Sequence, residues 1–492
     1  MNRQIRWLGL GLMLLFTALF VQINLVQVVK ADQYDRDPSN DRVVVRDFTK
    51  PRGAILTADN TVIAESVPSQ DRYRYQRRYP LGNLFANVSG YFSFTLGSTQ
   101  IEKTQNDVLS GNTDEQKLKG LSDLFSDRVN TGDVDLTLRA DLQRMAQQAL
   151  GNREGSVVLL DPRSGAVKAL WSYPSYDPNL IANHDFNKAK AAKTFYDASP
   201  GKPLLANSYQ ERYLPGSTFK VVTATAGLES GTFTLDSQFP PTRTYTPPQT
   251  TNPIHNYGGT ICGGDFTEVF YRSCNTAFAQ VAVDTGAPDM VATAERYGFN
   301  AVVPIDLPRP APSYFGTVNT FKDNIPLLAL QGFGEGDTQV TPLQMALVAS
   351  AVANGGKTMV PYVVDKTVDR DGKVLSQTQP RVWRQSLQPG TANTLRDLMI
   401  QVVQKGTARC CLQLANGIQA AAKTGTAQLN PEGSPPASHA WIVAFAPAEA
   451  PRYAIAVMVK ATPEVTAGTG GTVAGPIAKQ VLDFALALPA SS

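Results

Sequence analysis

An α+β fold behind a single membrane-crossing helix is predicted by three observations. Residues 7–29 form one long apolar segment, residues 31–133 are polar and short of long apolar periodicity, and from residue 134 onward sheet-like and helix-like segments alternate. A chain of 492 residues has room for about three compact units, and 42% hydrophobic with 18% charged residues is the composition of a folded protein. The expected division is a cytoplasmic tail at 1–6, an anchor at 7–29, a strand-rich pedestal at 30–150 and a large domain at 151–492.

The anchor is apolar apart from Thr17, Gln22, Asn24 and Gln27, and Arg3 and Arg6 precede it with no acidic residue. Its length suffices to cross a bilayer, and the flanking arginines place everything after it outside the cell membrane. The competing reading is a cleaved signal peptide, because Val29-Lys30-Ala31 offers small residues to a peptidase. Signal-peptide cores are usually shorter, so an uncleaved single-pass anchor is expected.

In the pedestal region no internal repeat is visible, and a helix at 140–150 leads into the large domain. The formal charge of +3, with no dense Lys/Arg stripe, gives nucleic-acid binding no support. Four cysteines cannot hold so large a core together, and no Cys/His spacing suggests zinc. Cys262 and Cys274 lie in one region beside the Gly263-Gly264 turn and could bridge in an oxidising compartment. Adjacent Cys410 and Cys411 cannot easily bridge each other without strain, and their state is left open.

Three motifs carry chemistry in the large domain: Ser217-Thr218-Phe219-Lys220, Ser273-Cys274-Asn275, and Lys423-Thr424-Gly425 inside the strand-like run 421–428. Two decoys share these patterns. Ser199-Pro200-Gly201-Lys202 contains Pro and Gly, which keep Ser and Lys off a common helix face, and Ser110-Gly111-Asn112 sits in a polar turn segment ahead of any nucleophile candidate.

Tyr213-Leu214-Pro215-Gly216 interrupts the chain, and 217–228 reads as a helix starting at the serine, with Lys220 one turn on and facing the same side. A serine hydroxyl needs a base at neutral pH, and none of His184, His255 and His439 lies near a nucleophile motif. A lysine kept neutral by burial and by another cation can serve, which makes Lys220 the candidate base and Lys423 the second cation. Gly425, lacking a side chain, lets another backbone approach the strand edge, so an extended peptide can add there as an extra strand. Singly, each motif has a plain reading: Ser217 as a helix cap, Lys220 as a solvated helix lysine, and Lys423-Thr424-Gly425 as an exposed strand entering a turn. The ordered triple argues against all three at once.

In that order the motifs resemble those of penicillin-binding proteins and class A β-lactamases. The resemblance extends over nearly the whole chain. Residues 155–171 read as a hairpin around Asp161-Pro162-Arg163-Ser164-Gly165, as this family's transpeptidase domain opens. Thr341-Pro342-Leu343-Gln344-Met345-Ala346, Ala353-Asn354-Gly355-Gly356 and His439-Ala440-Trp441 are similar to its later landmarks. Arg52-Gly53-Ala54-Ile55 and the weakened Gly97 to Glu102 element resemble the pedestal of class B, monofunctional enzymes, with Asn256-Tyr257-Gly258-Gly259 pointing to the smaller class B proteins of actinobacteria. Two departures stand out. Glu335 in Gly334-Glu335-Gly336 replaces a more usual Gln, and the segment after Arg52-Gly53 is eroded to Leu56-Thr57-Ala58-Asp59-Asn60.

The resemblance implies a serine transpeptidase-like domain, an antiparallel sheet with flanking helices, acting as a D,D-transpeptidase on peptidoglycan stem peptides. It further implies covalent inhibition by β-lactams, no metal or organic cofactor, a membrane location and a glycosyltransferase or divisome partner. Ser217 would be the nucleophile, Ser273 would relay a proton to the leaving amine, and Asn275 would hold the substrate amide. Lys423, Thr424 and Gly425 would line the substrate strand, and the N–H groups of Ser217 and Thr426 would form the oxyanion hole. The rival readings give the acyl group to water, as a carboxypeptidase or β-lactamase does, or keep the fold as a β-lactam sensor or divisome scaffold.

Overall fold

The computed structural model describes residues 2–30, 48–116, 130–430, 437–462 and 468–489. Ala31 of the signal-peptide alternative, part of the pedestal region and the centre of the loop expected at 429–438 lie outside the described residues.

Arg3–Val29 is one helix, long and apolar enough to cross a membrane, with its large apolar side chains exposed. On a water-facing helix so many exposed Leu, Phe and Val side chains would be unfavourable, since burial of each is worth about 1.5–3 kcal/mol.

The large domain is built on a five-stranded antiparallel sheet in the order Ala421–Gln428, Ser438–Ala446, Tyr453–Val459, Gly155–Leu160, Val167–Tyr173. Every residue of Tyr453–Val459 and Gly155–Leu160 is buried, so both sheet faces are covered and the strands read as continuous apolar runs rather than alternating ones. The cover comes from Pro342–Ala353, a helix apolar all round and buried along nearly its whole length, and from Ala140–Leu150 paired with Gly475–Ala487. The helix at 140–150, counted with the pedestal from sequence, therefore packs on the sheet of the large domain. The strand Ala421–Gln428 is an edge, bonded to one neighbour only among the described residues.

A second sheet of six strands forms the pedestal, in the order Val374–Gln377, Val364–Asp369, Gly132–Leu136, Ile55–Leu56, Val62–Pro68, Tyr75–Arg78. Its first two strands come from far down the chain, so the pedestal sheet is completed by a hairpin that follows the Pro342–Ala353 helix. In the short helix Gln100–Thr104 beside this sheet, Glu102, fully buried, accepts hydrogen bonds from Arg52 Nε and Arg77 Nε at 2.6 Å each and from the Tyr79 hydroxyl at 3.1 Å. Burial pushes the Glu102 carboxyl up, but Arg77 and Arg52 outweigh it and hold the group below its ordinary value. Gly53 lies against Gly132: a Cβ there would fall 2.7 Å from the Gly132 carbonyl carbon, so no larger residue fits without moving the strand.

Candidate active site

Ser217 lies in a 3-10 turn, Gly216–Phe219, and the α-helix proper begins one step later at Lys220–Glu229. The expected helix start at the serine is therefore corrected by three residues. The reason is the tight entry: Gly216 takes φ +53°, its N–H donates to Gly334 O at 3.0 Å, Thr218 Oγ1 donates to Pro215 O at 2.8 Å, and Trp441 Nε1 donates to Leu214 O at 2.9 Å. Gly216, Thr218 and Phe219 are buried while Ser217 is half-buried, which presents its side to the cleft.

That cleft, of about 330 Å³, is lined by Ser217, Ser273, Asn275, Thr424 and Thr426, and so gathers residues from all three motifs. Lys220 is fully buried; its Nζ lies 2.6 Å from Ser273 O, 2.8 Å from Asn275 Oδ1 and 3.3 Å from Ser273 Oγ. A neutral amine has two N–H groups, which the two shorter contacts use, and its lone pair stays available. Burial first, and then the like charge of Lys423, hold Lys220 well below the ordinary lysine value. Lys423, also fully buried, donates to Ser273 Oγ at 2.8 Å and to Thr424 O at 3.1 Å, and burial brings it down to about 7. Ser273 thus bridges both lysines.

The Ser273-Cys274-Asn275 wall is held in an uncommon conformation, with Ser273 at φ +65°. A non-glycine residue keeps such a conformation when its surroundings enforce it. Here the structure pairs Cys274 with Cys262, Asn275 Nδ2 donates to His255 O at 3.2 Å, and Thr276 N donates to Asn256 Oδ1 at 3.1 Å. The Asn256 segment is therefore a brace for the second motif. On the facing wall, Gly425 packs on the nucleophile turn so closely that a Cβ would sit 2.7 Å from Pro215 O and 2.9 Å from Thr218 Cγ2. Thr424 Oγ1 hydrogen-bonds Thr407 Oγ1.

Among the lining residues not singled out as site residues from the sequence are Arg272, Thr407, Thr469 and Glu335. Of these Glu335 carried a signal, its place in a glycine cluster where a carboxylate replaces an amide. The decoy Ser199 lies outside the cleft lining, in a turn where Lys202 N bonds Ser199 O. Cys410 and Cys411, whose state the sequence argument left open, are bonded to each other in the structure. Their segment lies beside Gly471, whose Cβ position is 3.7 Å from Cys411 Sγ, and no side-chain thiol is left free among the described residues.

The sequence profile of the penicillin binding protein transpeptidase domain matches residues 155–483, and that of the penicillin binding protein A dimerisation domain matches residues 52–134. The chain belongs to the penicillin-binding protein transpeptidase family. It is 36% identical to the peptidoglycan D,D-transpeptidase PbpA of Mycolicibacterium smegmatis and 35% identical to that of Mycobacterium tuberculosis, each over 99% of both chains. Its structure resembles penicillin-binding protein A from M. tuberculosis in a ceftriaxone acyl-enzyme complex, with a TM-score of 0.83, 34% identity, and coverage of 90% of this chain and 100% of that one. As a penicillin-binding protein, the chain presents its motif residues in one cleft at the open edge of the sheet.

Proposed function

We propose that the protein is a membrane-anchored peptidoglycan D,D-transpeptidase working through an acyl-Ser217 intermediate. The observation that carries this reading is the Lys220 amine: buried, held well below the ordinary lysine value, bonded to Ser273 and Asn275 one turn after Ser217, with a second buried lysine bonded to Ser273 Oγ. Lys220 takes the Ser217 proton as Oγ attacks the carbonyl of the penultimate D-Ala. The N–H groups of Ser217 and Thr426 bind the oxyanion, where each donor is worth about 3 kcal/mol in other acyl-transfer enzymes. The C–N bond then breaks, terminal D-Ala leaves with a proton relayed through Ser273, and an ester to Ser217 remains. An amine of a second stem attacks that ester, the ester C–O bond breaks, and the proton returns to Ser217 Oγ through Lys220.

Lys423, as its ammonium, attracts the terminal carboxylate of the donor, and Thr424 and Gly425 supply the strand edge along which the donor lies. Asn275 steadies Lys220 through Oδ1 and faces the donor amide from the same wall. β-Lactams acylate the same serine. Residues 1–6 lie in the cytoplasm, 7–29 cross the membrane, and the pedestal and catalytic domain stand outside, where the Cys262–Cys274 link is stable. A glycosyltransferase or divisome protein would supply the strands to be joined.

The test supplies a pentapeptide donor ending in D-Ala-D-Ala together with a D-amino acid acceptor, and follows D-Ala release and the exchange product by mass spectrometry. Exchange product that vanishes in Ser217→Ala supports the reading; release with hydrolysis product alone assigns the protein to the carboxypeptidases.

A further inference from the structure

The cleft contains one carboxylate that the reaction above does not use. Among its lining residues Glu335 is the only acidic one, and its placement is defined from two sides. On one side Gly334 takes φ +86° and is pressed onto the nucleophile turn, where a Cβ would lie 2.7 Å from the Gly216 carbonyl carbon and 2.9 Å from Phe219 Cβ. On the other side Glu335 stands beside Gln428, the last residue of the edge strand and likewise part of the cleft lining.

Leu429 N–H, one residue past the edge strand, donates to Ala437 O at 2.8 Å, so by alternation the N–H groups of Gln428 and Thr426 point away from Ser438–Ala446, toward the open edge. A donor peptide adding to this edge, with its scissile carbonyl at Thr426 and its terminal carboxylate toward Lys423, runs antiparallel to the strand. The residue just upstream of the acyl residue then lies opposite Ala427, with its side chain on the face of the strand that Gly425 turns toward the nucleophile turn, where Gly334 also brings Glu335.

The cations around it are otherwise engaged. Lys220 is bonded to Ser273 and Asn275, Lys423 to Ser273 and Thr424, and Arg272 on the opposite wall to Glu268 at 3.0 Å and Ile261 O at 2.8 Å. Burial pushes the Glu335 carboxyl up to about 7, with the Gln428 N–H and the Lys220 charge opposing. A half-buried carboxylate left in this condition is suited to a cation brought by the ligand.

We propose that Glu335 is a donor-specificity residue: it binds the side-chain ammonium of a diamino residue placed immediately upstream of the acyl-forming D-Ala, so the preferred donor is a stem peptide whose diamino residue keeps its amine free. This rests on the transpeptidase reading. It makes the amide found more often at this position in the family a marker of donors read differently.

The experiment compares two donors on the full-length protein in detergent, without acceptor: Nα-acetyl-L-lysyl-D-Ala-D-Ala, with a free ε-amine, and its Nα,Nε-diacetyl counterpart. The rate of D-Ala release is expressed per site titrated by fluorescent penicillin, so that only folded, reactive protein counts. The free-amine donor is expected to react about tenfold faster in the wild type, the factor corresponding to about 1.4 kcal/mol. The ratio should grow as pH rises through about 7, where the carboxyl ionises, and fall to about one in Glu335→Gln. Glu335→Asp should keep part of it. Equal rates in the wild type, or a ratio unchanged in Glu335→Gln, would overturn the assignment. So would an effect confined to aminolysis by added acceptor amines, since that would place the ammonium on the acceptor. Penicillin labelling without acylation by either peptide would instead overturn the transpeptidase reading, and this inference with it.

Discussion

Replacing Lys220 by Arg removes one property and keeps most others. The side chain is fully buried, and its three nearest polar partners, Ser273 O, Asn275 Oδ1 and Ser273 Oγ, are all able to accept from a guanidinium. What Arg cannot do is lose its proton, because its pKa exceeds about 12 in proteins. A positioned general base contributes typically about 10²–10⁴ in rate, or about 2.7–5.4 kcal/mol at 1.36 kcal/mol per decade. Acylation of Lys220→Arg should therefore slow by at least about a hundredfold. The assay is stopped-flow acylation by a chromogenic β-lactam under excess reagent, with thermal melting as the check on folding. The pH profile adds a second readout. Lys220 is held low by burial and then by Lys423, and wild-type acylation should fall on acidification as the amine takes a proton. The variant should lack that limb. A folded Lys220→Arg protein acylating at near wild-type rate, or one keeping the acid limb, would refute the base assignment.

Three more outcomes follow from the geometry. Glu102→Ala leaves Arg52 and Arg77 buried without their carboxylate and should destabilise the protein by about 3–5 kcal/mol in denaturant unfolding. Because the folded Glu102 sits below its ordinary 4.5, its contribution is complete above that value and is lost as pH falls through the folded value, a dependence the variant should lack. Lys423, brought to about 7 by burial, loses its charge as pH rises, so apparent affinity for carboxylate-bearing peptides should weaken above about pH 7; a flat KM from pH 6 to 8.5 would count against its carboxylate role. The penicilloyl-enzyme should persist, since the one carboxylate of the cleft lining, Glu335, stands at the Gln428 end of the edge strand, past the oxyanion donor Thr426; many equivalents of chromogenic cephalosporin turned over per minute would contradict this.

Much of the site could be read in the sequence because each motif is short and its chemistry is local. The run 421–428 and the helix at 140–150 carry the bounds that the structure gives them, since their apolar patterns and flanking turns act within a few residues. What escaped is set by contacts between distant segments. The hairpin that completes the pedestal sheet pairs residues 364–369 with 132–136, a register no local pattern records. The Arg52–Glu102–Arg77 cluster joins three separate elements, although the Arg52-Gly53 and Glu102 landmarks were each visible. Glu335 read as a turn residue because its proximity to Ser217 depends on Gly334 meeting Gly216 across the domain. The 3-10 entry to the nucleophile helix has the same origin. The Cys410–Cys411 pair runs against a preference for wider spacing that holds for most cysteine pairs.

The central claim is that Ser217, and no other serine, carries the acyl group. It is tested most directly by incubating the protein with a fluorescent penicillin, digesting it, and locating the modified residue by mass spectrometry. The account predicts label on Ser217 and none after Ser217→Ala; label on Ser199 or Ser273, or label retained by the variant, would contradict it.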